Sequence, residues 1–284
     1  MNNYLDFEQE WLNKHPDRKS TLNKMRKALD VKEVTWSMLT KVNLVKVADY
    51  FKECVTGNSC RTYFAELNSF LHCYEDEGII PCKHPEEVLK ATKEPQQNVA
   101  LTEGELKLIE DYYNKLLKVK GKKPEKDVLT LFLIEAITGA RSCDVEDLSI
   151  NNIKDNKLSY VSKKTHVLAV IPEHRRLQEL LMRKPKKAYS NTTKNRTIKR
   201  IAEKVGITQP ITLYYHGAME TKPKFEYLGT HSARRSFASI LSEKGVPIAE
   251  IAQYMSHTNT SMTERYIKVD NQKASMAALS FFNG

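Results

Sequence analysis

Apolar residues recur at helical spacing along most of this chain. In the first 90 residues the pattern predicts four helices, near residues 4–14, 19–28, 42–53 and 59–77. After residue 100 it predicts helices near 102–118, 126–138, 173–182, 192–205, 231–244, 247–255 and 259–267. Thr102 and Glu105 have the Thr-x-x-Glu spacing of a capping box, which marks the first of these helix starts.

Two stretches favour β-structure instead. Residues 158–162 (LSYVS) and 167–171 (VLAVI) are rich in β-branched and aromatic side chains, and the link KKTH predicts a hairpin with lysines at its turn. A second β-like stretch covers residues 211–228. The predicted fold class is therefore mostly α with a small β-sheet.

The pattern also predicts two domains. Residues 91–100 (ATKEPQQNVA) lose all periodicity and contain a proline and two glutamines. We therefore expect a small helical domain over residues 1–92, a linker over 93–100 and a second domain over 101–284. Because the helical module starts almost at Met1, no further domain is expected before it.

Positive charge is concentrated in the second domain. Residues 1–100 hold 14 Lys and Arg against 15 Asp and Glu, whereas residues 101–284 hold 31 against 20. Such a field attracts polyanions, and nucleic acid is the leading candidate because Lys and Arg release counterions from phosphate. A charged surface that only confers solubility is the alternative.

Cysteine usage and hydropathy bear on location. The five cysteines are odd in number and irregularly spaced, which favours a reducing compartment over a disulfide framework. The longest apolar run, VLTLFLIEAI, is too short for a membrane span, so we expect a cytoplasmic protein with no membrane partner.

A zinc site is superficially suggested by four residues, His72, Cys73, Cys82 and His84. They lack the paired short spacing of a zinc knuckle, and no metal site is predicted.

Four polar segments contain the candidate chemistry. They are TGARSCDVEDL (138–148), SKKTHVLAVIP (162–172), THSARRSFAS (230–239) and MSHTNTSMTERYIK (255–268). Together and in this order they resemble the catalytic domain of the tyrosine recombinases, the family of phage and transposon integrases. The match runs through most of residues 101–270, and the first helical module resembles, more weakly, the SAM-like core-binding domain of that family.

The resemblance implies a set of functional residues. The catalytic set would be Arg141, Lys164, His231, Arg234, His257 and the nucleophile Tyr266, with Asp144 in a supporting position. Two positions depart from the usual pattern, since Met255-Ser256 stands where Leu-Gly is common and Asp144 where Glu is more frequent. Lys163 is the alternative to Lys164.

These residue types suit cleavage of a DNA phosphodiester. A phenol of pKa about 10 must lose its proton as it attacks, and a neutral histidine can accept that proton. Two guanidiniums can bind the non-bridging oxygens as charge develops on them, and a lysine can protonate the leaving 5′ oxygen. Neither a metal nor another cofactor is required.

Each candidate also has an ordinary structural explanation. Tyr266 could be an amphipathic packing residue, His257 a helix cap and Arg234 a member of a surface ion pair. The ordered set is more specific: a His-x-x-Arg pair, a histidine 23 residues after the arginine and a tyrosine nine residues further.

The predicted function is site-specific DNA recombination through a 3′-phosphotyrosine intermediate. The predicted partner is double-stranded DNA, on which four copies of the chain would assemble at paired sites. A type IB topoisomerase with the same chemistry and a non-cleaving DNA-binding regulator of the same fold are the alternatives.

Two further regions fit DNA binding and assembly. The segment 183–204 is basic and predicts DNA contacts from Lys194, Arg196, Lys199 and Arg200, with a solvated basic helix as the alternative. Residues 271–284 are apolar for a terminus. They could pack on their own domain or, as the resemblance implies, dock on a neighbouring protomer.

Overall fold

The chain folds as a mostly helical protein with two small sheets, which confirms the predicted fold class. The computed structural model describes residues 4–75, 78–94, 99–215 and 218–267. Contacts divide the chain into two compact units, Met1–Gln96 with Thr212–Glu220, and Gln97–Ile211 with Thr221–Gly284. Within the described residues, no helix combines the length and apolar character that a membrane crossing requires.

The first unit is built around four longer helices. They are α1 (Tyr4–Lys14), α2 (Lys19–Leu29), α3 (Lys41–Cys54) and α4 (Gly57–His72), followed by a single turn, α5 (Pro85–Val88). Helix α4 ends five residues before the predicted end at 77, and α5 was not predicted. Edge-to-face aromatic contacts fill the core, including those of Tyr4 with Trp36 and Phe70.

The second unit contains the remaining α-helices of the described chain. They are α6 (Glu103–Leu117), α7 (Lys123–Thr138), α8 (Ser142–Val145), α9 (Arg175–Arg183), α10 (Asn191–Lys204), α11 (Thr230–Glu243), α12 (Ile248–Tyr254) and α13 (Thr260–Glu264). The capping box predicted from Thr102 and Glu105 is present at the start of α6. Helix α7 lies in the middle of this unit, and eleven of its sixteen residues are buried.

The sheets are short and antiparallel. Strands β1 (Ile153–Lys154), β2 (Lys157–Val161) and β3 (Leu168–Pro172) form one sheet, in which Val161 pairs with Leu168. The predicted hairpin is therefore present, with the unpredicted β1 added at its edge. Strands β4 (Pro210–Tyr215) and β5 (Ala218–Pro223) form the second sheet.

Candidate active site

The turn after α7 places Arg141. Gly139 ends α7 with a left-handed backbone, φ = +64°, and a Cβ there would clash with the ring of Phe237. Glycine satisfies both constraints, and the chain then reverses so that Arg141 lies at the N-terminal cap of α8.

Two hydroxyl groups hold the guanidinium of Arg141. Its Nη1 donates to Ser162 Oγ at 2.8 Å and to Ser256 Oγ at 3.3 Å. Ser162 in turn donates to Asp144 Oδ2 at 3.0 Å, while the Asp144 carboxylate is 4.0 Å from Arg141 Nη1. Asp144 also accepts from the backbone N–H of Lys163 at 2.9 Å, so it connects the arginine to the start of the hairpin turn.

Arg234 lies on α11 and is 1% exposed. Its Nη1 donates to the carbonyl of Gly139, and its Nη2 donates to the carbonyl of Met255 at 2.6 Å. Its Nε has no hydrogen-bond partner among the described residues. Burial and the nearby charge of Arg141 lower the pKa of Arg234 to about 10, so it remains a cation at neutral pH.

His257 is a neutral, buried histidine. Because an arginine can only donate, Nε2 of His257 is the acceptor in its 2.7 Å contact with Arg234 Nη2. The proton therefore lies on Nδ1, which donates to Thr263 Oγ1 at 2.8 Å. Burial and the charges of Arg234 and Arg141 lower the pKa of His257 to about 3.

Tyr266 follows the short helix α13 and lies beside both groups. Its ring centroid is 5.4 Å from that of His257 and 5.8 Å from Cζ of Arg234. The tyrosine was predicted within a helix over 259–267, but α13 ends at Glu264 and Tyr266 lies in a turn. Ser239 donates to the carbonyl of Tyr266 at 3.1 Å, which ties this turn to α11.

His231 and Lys164 lie on the exposed side of the same group. Partial desolvation and the charges of Arg235, Arg234, Arg141 and Lys164 lower the pKa of His231. Lys164 is exposed in the turn between β2 and β3. The neighbouring Lys163 instead forms an ion pair with Asp147, at 2.7 Å from Nζ to Oδ2.

The four predicted DNA-binding residues have different environments. Lys194 is 3% exposed and donates to Ser142 Oγ at 2.7 Å, so its prediction as a phosphate contact does not fit this structure. Arg200 is exposed but donates to Glu125 at 2.9 Å. Arg196 is exposed on α10 and Lys199 is half-buried, so Arg196 is the freer of these two to reach a phosphate.

Several contact residues were missed by the sequence analysis. Ser162, Ser256 and Thr263 hold Arg141 or His257, and Thr165 donates to the carbonyl of Ser256 at 3.0 Å. All of them lie inside the segments that the sequence analysis selected. The apolar segment 271–284 lies outside the described residues.

The described residues contain no group of three or more His, Cys, Asp or Glu arranged to hold a metal ion. His72 Nδ1 instead lies 2.7 Å from Glu75 Oε2, and Cys82 is a buried free thiol.

Comparisons with known proteins agree with this geometry. The model of the phage integrase family matches residues 76–273, well over half of the chain. A lambda integrase dimer bound to a COC′ core site has a similar structure, with a TM-score of 0.70, 15% identity, and coverage of 94% of this chain and 77% of that chain. A lambda integrase tetramer bound to a Holliday junction gives a TM-score of 0.65 and 16% identity over 94% and 78%.

A third similar structure is that of the XerH site-specific recombinase bound to palindromic difH substrate in a post-cleavage complex. The TM-score is 0.61 and the identity 15%, and the match covers 84% of this chain and 71% of that chain. At these identities the likeness establishes a shared fold. No curated protein sequence matches the chain.

Proposed function

The chain belongs to the phage integrase family and is a DNA-cleaving site-specific recombinase, and we propose that Tyr266 is its nucleophile. The oxygen of Tyr266 attacks the scissile phosphorus, forms a 3′-phosphotyrosine bond and displaces the 5′ oxygen. The observation that carries this proposal is the placement of the Tyr266 ring against His257 and Arg234. Because a phosphodiester replaces a phosphodiester, religation needs no external energy source.

Arg141 and Arg234 would bind the non-bridging oxygens. Arg141 is 12% exposed in its side chain and is anchored by hydroxyls, which leave it charged and in reach of solvent. Arg234 is fixed by two backbone carbonyls, which orient the guanidinium without neutralising it. Two positioned cations of this kind stabilise the charge that develops on the phosphorane.

We assign the base to His231 rather than His257. Both nitrogens of His257 are occupied, one by Arg234 and one by Thr263, so its role is to position Arg234. His231 has a lowered pKa and is neutral at pH 7, which suits a group that accepts the phenol proton. Lys164 would donate a proton to the leaving 5′ oxygen. The ion pair of Lys163 with Asp147 supports Lys164 over its neighbour.

We propose that residues 1–92 and 101–284 are the core-binding and catalytic domains, joined by a linker at 93–100. Both would contact one duplex, and four copies would exchange strands through a Holliday junction, as the lambda integrase tetramer bound to such a junction suggests. Arg196 and Lys199 are the members of α10 proposed to contact phosphate. The five cysteines, all free thiols, support a cytoplasmic location.

Covalent trapping tests the nucleophile. A pool of nicked duplexes with a random central segment is incubated with the protein, and DNA that stays attached after denaturation is recovered and sequenced. The recovered sequence defines a duplex, here named the trapped duplex, for later experiments. We expect Tyr266→Phe to bind this duplex and to form no covalent complex, and we expect EDTA to leave the wild-type reaction intact. Adducts formed by the phenylalanine variant would refute the assignment.

Assembly separates a recombinase from a topoisomerase. Joining of two trapped duplexes in a complex of four protomers is expected for recombination. Relaxation of supercoiled DNA by single protomers, with no such joining, would favour the topoisomerase alternative.

A further inference from the structure

A small cavity is lined by the two arginines of the proposed site. Its volume is about 20 Å³, and its lining includes Arg141, His231, Arg234 and Glu135. The first three are proposed above to act on the phosphate or on the nucleophile. Glu135 has no role in that mechanism, although it lies in the same cavity.

Glu135 is an unusual residue for its position. It belongs to α7, inside the apolar run VLTLFLIEAI, and is 1% exposed. Its Oε1 has no hydrogen-bond partner among the described residues. A buried carboxyl without a full set of partners costs free energy, so it requires a reason beyond packing.

The charged groups around Glu135 come from three elements. The charges of Arg234 on α11, of Lys194 on α10 and of Glu146 after α8 act on Glu135, and Ser142 of α8 also favours its ionised form. Helices α6 and α9 also pack on α7, and Arg176 of α9 pairs with Glu110 of α6. Burial raises the pKa of Glu135 to about 8, against the opposing effects of Ser142, Lys194 and Arg234.

The charge of Glu135 affects what the arginines can attract. Asp144, 4.0 Å from Arg141, already offsets part of that cation. An ionised Glu135 would add a negative charge to the cavity that it shares with Arg234, and the two arginines would lose part of their attraction for a phosphate. A neutral Glu135 leaves the charge of Arg234 for the phosphate and for the phosphorane that follows.

We propose that Glu135 is a positioning residue for DNA cleavage, whose neutral carboxyl leaves Arg234 available to the scissile phosphate and whose ionised form withdraws it. Phosphate and the Glu135 carboxylate therefore exclude each other, and DNA binding draws a proton onto Glu135. This inference rests on the proposed role of Arg234. It makes the availability of Arg234 to the phosphate dependent on pH.

The test compares pH profiles. The second-order rate constant of covalent complex formation on the trapped duplex, with DNA below saturation, reports ionisations of the free protein. For a group that titrates near pH 8, the wild-type rate constant should fall about tenfold between pH 7 and pH 9. Glu135→Gln keeps the shape of the side chain and is neutral at both pH values. The ratio of its rate constants at pH 7 and pH 9 should therefore be close to one. Glu110→Gln, which removes a carboxylate that pairs with Arg176 of α9, should keep the wild-type ratio.

A second measurement does not depend on cleavage. Calorimetry measures the binding of the trapped duplex to Tyr266→Phe at pH 8 in buffers of different ionisation enthalpy. We expect uptake of about half a proton per bound protein. The double variant with Glu135→Gln should show almost none. An equal pH ratio in wild type and Glu135→Gln, or equal proton uptake in the two binding experiments, overturns the inference. Absence of any covalent complex in the wild type would instead refute the proposed function.

Discussion

Ser256 accepts a hydrogen bond from Arg141 while its own backbone is left-handed. The Oγ of Ser256 lies 3.3 Å from Arg141 Nη1, and its φ is +50°, a conformation that costs an L-residue about 1–2 kcal/mol. The same residue precedes His257, and its carbonyl accepts from Thr165, the residue after Lys164. One strained position thus connects three of the proposed catalytic segments.

Ser256→Gly should therefore separate stability from activity. Glycine relieves the positive φ, so the midpoint of unfolding should rise or stay unchanged. Loss of the hydroxyl frees one side of Arg141, and cleavage should slow about tenfold, the lower end for a hydrogen bond to a charged group. Single-turnover cleavage and urea unfolding measure the two effects. In an Arg141→Ala background the same glycine should cost nothing further, because the group it positions is gone. Wild-type cleavage by Ser256→Gly would show that the hydroxyl is dispensable.

The neutral state of His257 makes folding sensitive to acid. An unfolded histidine binds a proton below about pH 6.5, whereas burial and the arginines lower the pKa of folded His257 to about 3. The unfolded state binds more protons within this window, so stability is complete above pH 6.5 and falls as the pH drops towards 3. The loss at pH 5 should be about 2 kcal/mol.

Urea unfolding at pH 7.5 and pH 5 measures this loss. The difference between the two pH values should be smaller in His257→Asn by about that amount, because asparagine does not titrate. His231 titrates in the same direction and is present in both proteins, so it does not affect the comparison. The same pH difference in both proteins would mean that His257 is not the group responsible.

The sequence predicted the family and the fold class and selected the segments of the proposed site, because these depend on local periodicity and on the order of a few motifs. The side of α10 on which Lys194 lies was misjudged, although the signal was present. Lys194 stands four residues before the buried Ile198, on the same helical stripe, and is itself buried. Because lysine is charged, an exposed side chain was predicted. In the structure Lys194 is buried and donates hydrogen bonds to Ser142 and Glu146.

Contacts between distant segments could not be predicted in this way. The bond between Arg141 and Ser256 joins residues 115 positions apart, and that between Arg234 and the Gly139 carbonyl joins residues 95 apart. Periodicity describes one helix or strand at a time, so it selects the polar segments without showing which side chains meet.

Salt dependence should distinguish Lys194 from Arg196. Each phosphate contact contributes about 0.9 to the slope of log affinity against log salt concentration. Arg196→Ala should reduce that slope by about one, since Arg196 is exposed on α10. Lys194→Met should leave the slope unchanged and lower the unfolding midpoint, because it removes the buried partner of Ser142 and Glu146. Fluorescence titrations of labelled trapped duplex at several salt concentrations provide the slopes. A reduced slope in Lys194→Met and an unchanged slope in Arg196→Ala would show that Lys194, and not Arg196, contacts a phosphate.

Lys164 and Lys163 can be separated by the chemistry of the leaving group. If the Lys164 ammonium protonates the 5′ oxygen, Lys164→Ala should slow cleavage by about two to four orders of magnitude, the range of a general acid. Lys163→Ala is the matched control: it removes an equal charge from the same turn and breaks only the ion pair with Asp147, so its effect should be small. DNA binding should change little in either variant.

A trapped duplex with sulfur at the 5′ bridging position tests the step itself, because a thiolate leaves without a proton. This substrate should restore most of the cleavage lost in Lys164→Ala and none of that lost in Arg234→Ala, since Arg234 acts on the non-bridging oxygens. Rescue of Lys163→Ala alone would shift the assignment by one residue. Rescue of neither would place the acid outside the hairpin turn. In that case His231, which lies within the field of Lys164, would be the next group to test, and the base assigned to it would have to be sought elsewhere.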